Sequence, residues 1–142
     1  IPDDILLKPG KLTDEEFEIM KKHTLEGGSV LRRINERFSC YNLKYFSMAA
    51  DIAIAHQEKY DGSGYPNHVS KDAIPLAARI SALADVFDAL TSKRPYKEAF
   101  SLEKSYDIIR NSIGSHFDPD IVEAFFQIQE EIEAIYAVYK EV

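Results

Sequence analysis

Tryptophan is absent from this 142-residue chain, cysteine occurs once and methionine twice. A single thiol, Cys40, excludes an internal disulfide and leaves no partner for a cysteine-based zinc site, so a reducing, cytoplasmic setting is expected. Positive charge is also scarce: 17 Lys and Arg stand against 24 Asp and Glu, a formal net charge of −7. That balance argues against a broad nucleic-acid or anionic-membrane surface and requires any anionic ligand to be met by a local basic cluster. No apolar run approaches the roughly 18 residues needed to span a bilayer, and no charged-then-apolar leader opens the chain. It starts at Ile1 rather than Met, which predicts a piece of a longer protein.

With 45% hydrophobic residues in one domain's length, residues 1–142 can bury a single core. Pro2 and Pro9-Gly10 predict an extended or turning lead-in. Thr13 followed by Glu16 is a capping box, with Asp14 and Glu15 favouring the positive end of the helix that it opens. Phe17, Met20, His23, Gly27 and Val30/Leu31 recur there at helical spacing, and Gly27-Gly28 marks a bend or a close-packing point. Residues 43–57 form a second helical unit on which Ala49, Ile52, Ala53 and His56 share a side. Residues 58–74, which include "EKYDGSGYP", are too rich in Gly, Pro, Asn and Asp to be regular.

Pro75 suits the first position of the next helix, "LAARISALADVFDALTS", where Ala78, Ala82, Asp85 and Ala89 form a small-residue strip interrupted by one carboxylate. Ser101 caps a further helix that ends before Gly114. Asp118 and Pro119 then open a last helix running toward Val142, its 127–142 portion a C-terminal extension. Strand alternation is lacking, so the fold class is all-α with five to seven helices. Along the final helix Phe125, Ile128, Ile132, Ile135, Tyr139 and Val142 keep heptad spacing for under three heptads. Packing on its own domain is the expectation there, with a homodimer as the hypothesis for any apolar face left uncovered.

Metal-assisted hydrolysis needs imidazole and carboxylate groups converging from different helices. His23, His56 and Asp85 meet that description. Each alone would read as an ordinary packed or capping residue, and the three together raise a metal site. Asp88, one turn from Asp85, could orient a ligand or simply cap. His68 reads as solvated, and His116 as a residue holding the turn before Asp118. Arg94 and Lys97, on either side of Pro95, are a solvated basic loop or a phosphate clamp, the guanidinium as a planar fork and the ammonium as a point charge.

"HQEKYDGSGYP", "IPLAARISALADVFDALTSKRPYKEAF", "GSHFDPDIVEAF" and the opening "IPDDILLKPGKLTDEEFEIMKKHT" closely resemble the HD-GYP family of bacterial cyclic di-GMP phosphodiesterases, in order and spacing, through most of residues 1–126. The resemblance implies an all-α HD-type domain in bacterial signal transduction, with a cluster of two or three metals, typically iron or manganese. The implied reaction is hydrolysis of cyclic di-GMP to pGpG or GMP by metal-activated water. It implies metal ligation by His23, His56 and Asp85, with Asp88 behind them, and substrate contacts by Arg94, Lys97 and the signature tripeptide Gly64, Tyr65 and Pro66. The same loop is implicated in contacts with diguanylate cyclase domains. Two departures are visible. The family's His-Asp dyad, expected just before Ile1, is not in this sequence, which reads as an N-terminally truncated domain. Gln57 stands where the family usually has a second histidine. Both predict weak or no hydrolysis by this chain alone, and Gln57 keeps open a regulatory module that binds cyclic di-GMP or a cyclase without cleaving it.

Overall fold

The computed structural model describes residues 1–38, 45–93 and 98–139, so Cys40, Arg94, Lys97 and Val142 lie outside the described residues. Among the described residues seven α-helices follow one another: α1 Asp3–Leu6, α2 Asp14–Arg37, α3 Tyr45–Ala55, α4 Leu76–Thr91, α5 Leu102–Asn111, α6 Pro119–Gln127 and α7 Gln129–Tyr139. A 3-10 turn, Lys71–Ala73, sits before α4. Among the described residues no strand forms beyond one isolated bridge between Ile113 and Phe117, and no helix is long and apolar enough to cross a membrane. The all-α expectation holds.

Local chemistry accounts for most boundaries. Thr13 Oγ1 accepts from Glu16 N at 3.3 Å while Thr13 N donates to Glu16 Oε2 at 2.7 Å, the reciprocal box that starts α2. Ser101 accepts from Lys104 N, and Asp118 from Asp120 N with Pro119 as the first helical residue, so α5 and α6 start as their sequences predict. Three boundaries differ. The lead-in contains α1, a single turn in which two aspartates follow Pro2 and Ile5 is buried. Pro75 precedes α4 as its cap rather than entering it, because its carbonyl accepts from Ala78 N and Arg79 N. The last helix is two: the chain breaks at Ile128, whose φ of −109° and ψ of 26° leave the helical region, and α7 restarts beyond it. No Gly or Pro marks that break, so residue types alone do not reveal it.

α2 and α3 pack along much of their lengths, and α3 lies against α4. Gly27-Gly28 leaves α2 unbroken and serves as a close-packing point. A Cβ at Gly28 would stand 2.2 Å from Ile54 Cγ1, inside any tolerable contact. Leu83, Ile109, Phe117 and Val122 form the core joining α4, α5 and α6, with Phe87, Phe125 and Phe126 packed on it. Tyr106 stacks on Phe87 at 5.9 Å and meets Phe125 and Phe126 edge-on. Full burial of each such side chain contributes about 1.5–3 kcal/mol. A smaller cluster of Ala55, Ile74 and Ala78, with Val69 against it, seats the residue 58–74 loop on the α3–α4 junction.

Gly28→Ala should therefore destabilise the chain by about 1–3 kcal/mol through overpacking. Denaturant unfolding in a double-mutant cycle with Ile54→Ala should show that most of this cost disappears once Ile54 is shortened; additive effects would contradict the assigned contact.

Candidate metal centre and the loop that frames it

α2 and the turn that directly follows α3 each bring one histidine to the α2–α3 interface. The two Nε2 atoms of His23 and His56 face one another at 3.3 Å, with ring centroids 5.3 Å apart. Each ring is held from behind: His23 Nδ1 lies 2.7 Å from the Met20 carbonyl, and His56 Nδ1 lies 3.1 Å from the carbonyls of both Ile52 and Ala53. Carbonyls only accept, so each Nδ1 carries a proton and donates. The facing Nε2 atoms then share either a proton, as an imidazole–imidazolium pair, or a cation. Two imidazole nitrogens each about 2.0–2.1 Å from one metal ion stand roughly 3.0–3.4 Å apart, so the pair fits a shared divalent ion, and the backing carbonyls are the usual orienting partners.

The other candidate ligands stand differently. Asp85 is exposed on α4, and among the described residues it does not join the histidines in a group of three. Its charge is nonetheless felt at Tyr65, whose phenol is pushed up first by burial and then by Asp85. Asp88 is exposed, and its Oδ1 accepts from Ser92 Oγ at 3.1 Å at the end of α4. The Gln57 carbonyl accepts from Tyr65 N at 3.1 Å. His68 is exposed with φ of 54°.

Residues 58–66 are anchored from several sides. Gly64 is buried so close to the preceding backbone that a Cβ would lie 2.3 Å from Lys59 N and 2.5 Å from Gln57 O. Glu58, 2% exposed, accepts from Asn67 N at 2.6 Å through Oε1, while its Oε2 is buried without a partner. Composition gave no sign that this glutamate is interior; only its place beside a Gly-Pro loop that must fold back over it could have hinted so. Tyr60 N and Asp61 N donate to the His116 and Ser115 carbonyls, so the turn before α6 holds the loop through its backbone. That turn is in turn fixed by Arg79, which bonds Asp118 Oδ2 at 2.5 Å and Asp72 Oδ1 at 3.0 Å. His116 stacks on Phe117 at 4.3 Å, and burial lowers its pKa. Tyr65 packs edge-on against Phe17 of α2 at 5.9 Å, with Lys21 Nζ over both rings. Pro66 follows Tyr65 through a cis bond.

The domain is all-α and sets two imidazoles face to face beside a glycine-tight loop. A profile described as "HD domain" matches residues 1–121. A cyclic di-GMP phosphodiesterase of Vibrio cholerae is 48% identical over 141 residues, 99% of this chain and 28% of that protein. One from Thermotoga maritima is 45% identical over 96% of this chain and 35% of its own length. A 3'3'-cGAMP-specific phosphodiesterase of Vibrio cholerae is 44% identical over 96% of this chain and 25% of its own length. The crystal structure of a cyclic GMP-AMP specific phosphodiesterase of Vibrio cholerae superposes with a TM-score of 0.63 at 25% identity, covering 84% of this chain and 25% of that one. The chain belongs to the HD domain family, in its HD-GYP branch. It spans about a quarter to a third of the length of these relatives.

Two predictions follow from the loop. Gly64→Ala should displace residues 58–66 and cost about 1–3 kcal/mol or more, since the obstructing atoms are backbone and cannot move aside; denaturant unfolding and hydrogen exchange at Tyr65 check it. A folded-state His116 pKa below its unfolded value gives stability that is present above the unfolded value near 6.5 and lost as pH falls through the lower folded value. His116→Gln should flatten the fall in thermal stability as pH drops from about 6.5 to the lower folded value.

Proposed function

We propose that this chain contributes the His23/His56 part of a metal-dependent phosphodiesterase site acting on a cyclic dinucleotide, with cyclic di-GMP as the substrate and pGpG or GMP as product. The observation that carries the reading is the pair of facing Nε2 atoms, 3.3 Å apart, with both rings backed by carbonyls at Nδ1. That spacing and second-shell backing suit two imidazoles sharing one ion. A divalent iron or manganese ion held there would polarise a phosphoryl oxygen and acidify a water.

In this reading His23 and His56 hold the ion, and Asp85 completes the ligand set from α4 when substrate and metal are present. Arg94 and Lys97, outside the described residues, meet the phosphates, and Asp88 steadies the end of α4 that leads to them. Tyr65 forms the wall between Phe17 and Asp85, Pro66 sets its exit, and buried Gly64 lets the loop approach closely enough to place that wall. The loop's outer face is then available to a diguanylate cyclase domain. Gln57 supports a second reading, a regulatory module that binds the dinucleotide without cleaving it. A neutral carboxamide neither offsets metal charge nor matches imidazole as a transition-metal ligand.

Two imidazoles and one exposed carboxylate, with Gln57 in place of a further histidine, should hold a single ion weakly, so the purified chain is expected to show substoichiometric Mn²⁺ or Fe²⁺ and little turnover. His56→Ala should lower Mn²⁺ affinity about tenfold or more in calorimetry, and Gln57→His should raise both affinity and hydrolysis. Tight stoichiometric metal with rapid turnover in the unaltered chain would refute the weak-site account. Binding of cyclic di-GMP that Gln57→His does not convert into hydrolysis would favour the regulatory reading.

A further inference from the structure

Lys21 is a long cation that the fold holds in one place. Its side chain is 26% exposed, whereas lysines ordinarily extend into solvent. Phe17 lies one turn before it on α2, and Tyr65 reaches it from the loop that frames the histidines. Lys21 Nζ stands 5.0 Å from the centre of the Phe17 ring and 5.6 Å from that of Tyr65, and it donates to Glu18 Oε1 at 2.5 Å. The two rings meet edge-on at 84°, and Phe17 is 42% exposed. The cluster adjoins the candidate centre on two sides. Met20, next to Lys21, backs His23 with its carbonyl, and Tyr65 lies within the field of Asp85. The proposed function uses Tyr65 as a wall and gives Phe17 and Lys21 no task.

We propose that Phe17, Lys21 and Tyr65 form a purine subsite in which Lys21 selects guanine over adenine, an inference that rests on the cyclic dinucleotide reading given above. Aromatic rings hold bases by stacking with little preference among them, and the exposed part of Phe17 leaves surface for a base to lie on. Discrimination then falls to the ammonium. It carries three donors and no acceptor, and Glu18 takes one of the three. Guanine presents two acceptors side by side, O6 and N7, which the remaining N–H groups can meet together; adenine sets an amino donor where guanine has O6. A donor-only group therefore bonds one purine edge twice and opposes half of the other. A phosphate is the poorer occupant, because the ring faces that attract an ammonium carry negative charge and repel an anion. The rings and Glu18 also hold Nζ before any ligand arrives, so less side-chain freedom is lost on binding. A lysine that only fastened the loop to α2 would affect every ligand alike; a guanine reader changes the ratio between ligands.

Titration calorimetry of the purified chain with cyclic di-GMP and with cyclic di-AMP, Mn²⁺ present, tests this. The unaltered chain should bind the guanine compound about tenfold tighter or more. Lys21→Met keeps the apolar stem and removes the donors, so it should weaken cyclic di-GMP binding about tenfold and leave cyclic di-AMP binding unchanged. Lys21→Arg, which can also bond O6 and N7, should keep the preference. Lys104→Met, a lysine 4.0 Å over Phe100 elsewhere in the chain, should alter neither affinity. Circular dichroism establishes that each variant is folded, and if Lys21→Met is not, Lys21→Gln carries the test with the same expected loss of preference. Equal weakening of both ligands, or an unchanged preference without the lysine, overturns the subsite and leaves the dinucleotide reading standing. Failure of the unaltered chain to bind either dinucleotide overturns both.

Discussion

The close approach of the Gly64 backbone to Gln57, Glu58 and Lys59 is the constraint on which the site depends. No side chain fits there, so the chain can fold back directly over the end of α3 and return a backbone donor, Tyr65 N, to the Gln57 carbonyl. The fold-back encloses the Glu58 carboxylate, which takes the Asn67 amide, and it delivers the Tyr65 ring to Phe17 on α2. A loop of Gly, Ser, Asp and Pro would otherwise be solvated and mobile, at a large cost in ordering entropy. Here backbone hydrogen bonds to two flanking segments offset that cost.

The same constraint ties distant parts of the fold together. The loop is held on one side by the end of α3 and on the other by the turn before α6, which Arg79 fixes through Asp118. With side-chain exposures of 15% and 6%, that ion pair lies in a poorly solvated setting, where loss of one partner is costly. The histidine pair depends on a parallel constraint. Gly28 lets α2 meet α3 at Ile54, two residues before His56, and the closeness of the helices brings His23 Nε2 within 3.3 Å of its partner. Small residues at helix contacts thus set the spacing of the two imidazoles as directly as the histidines' own positions do.

Legibility followed the range of the interaction. The Thr13–Glu16 box, the Ser101 cap and the Asp118-Pro119 start depend on residues within three positions and are realised as written. The break at Ile128 carries no local breaker, so residue types predict one continuous helix where the structure has two. Burial of Glu58 was equally hidden, since a glutamate between Gln57 and Lys59 looks solvated until the loop closes over it. The candidate histidines could be picked by type and by helical face, yet their pairing spans 33 residues.

By itself the sequence determined the helical class, the main capped starts, the donor types and the motif order, because periodicity, caps and motifs are encoded in near neighbours. Tertiary structure alone decided which donors meet. It set two imidazoles face to face, left Asp85 exposed on α4, turned Gly64 from a flexible residue into a packing contact, and opened an apolar groove beside α7. Each of these depends on the distance between helices, and that distance follows from packing across the whole chain rather than from any short stretch of it.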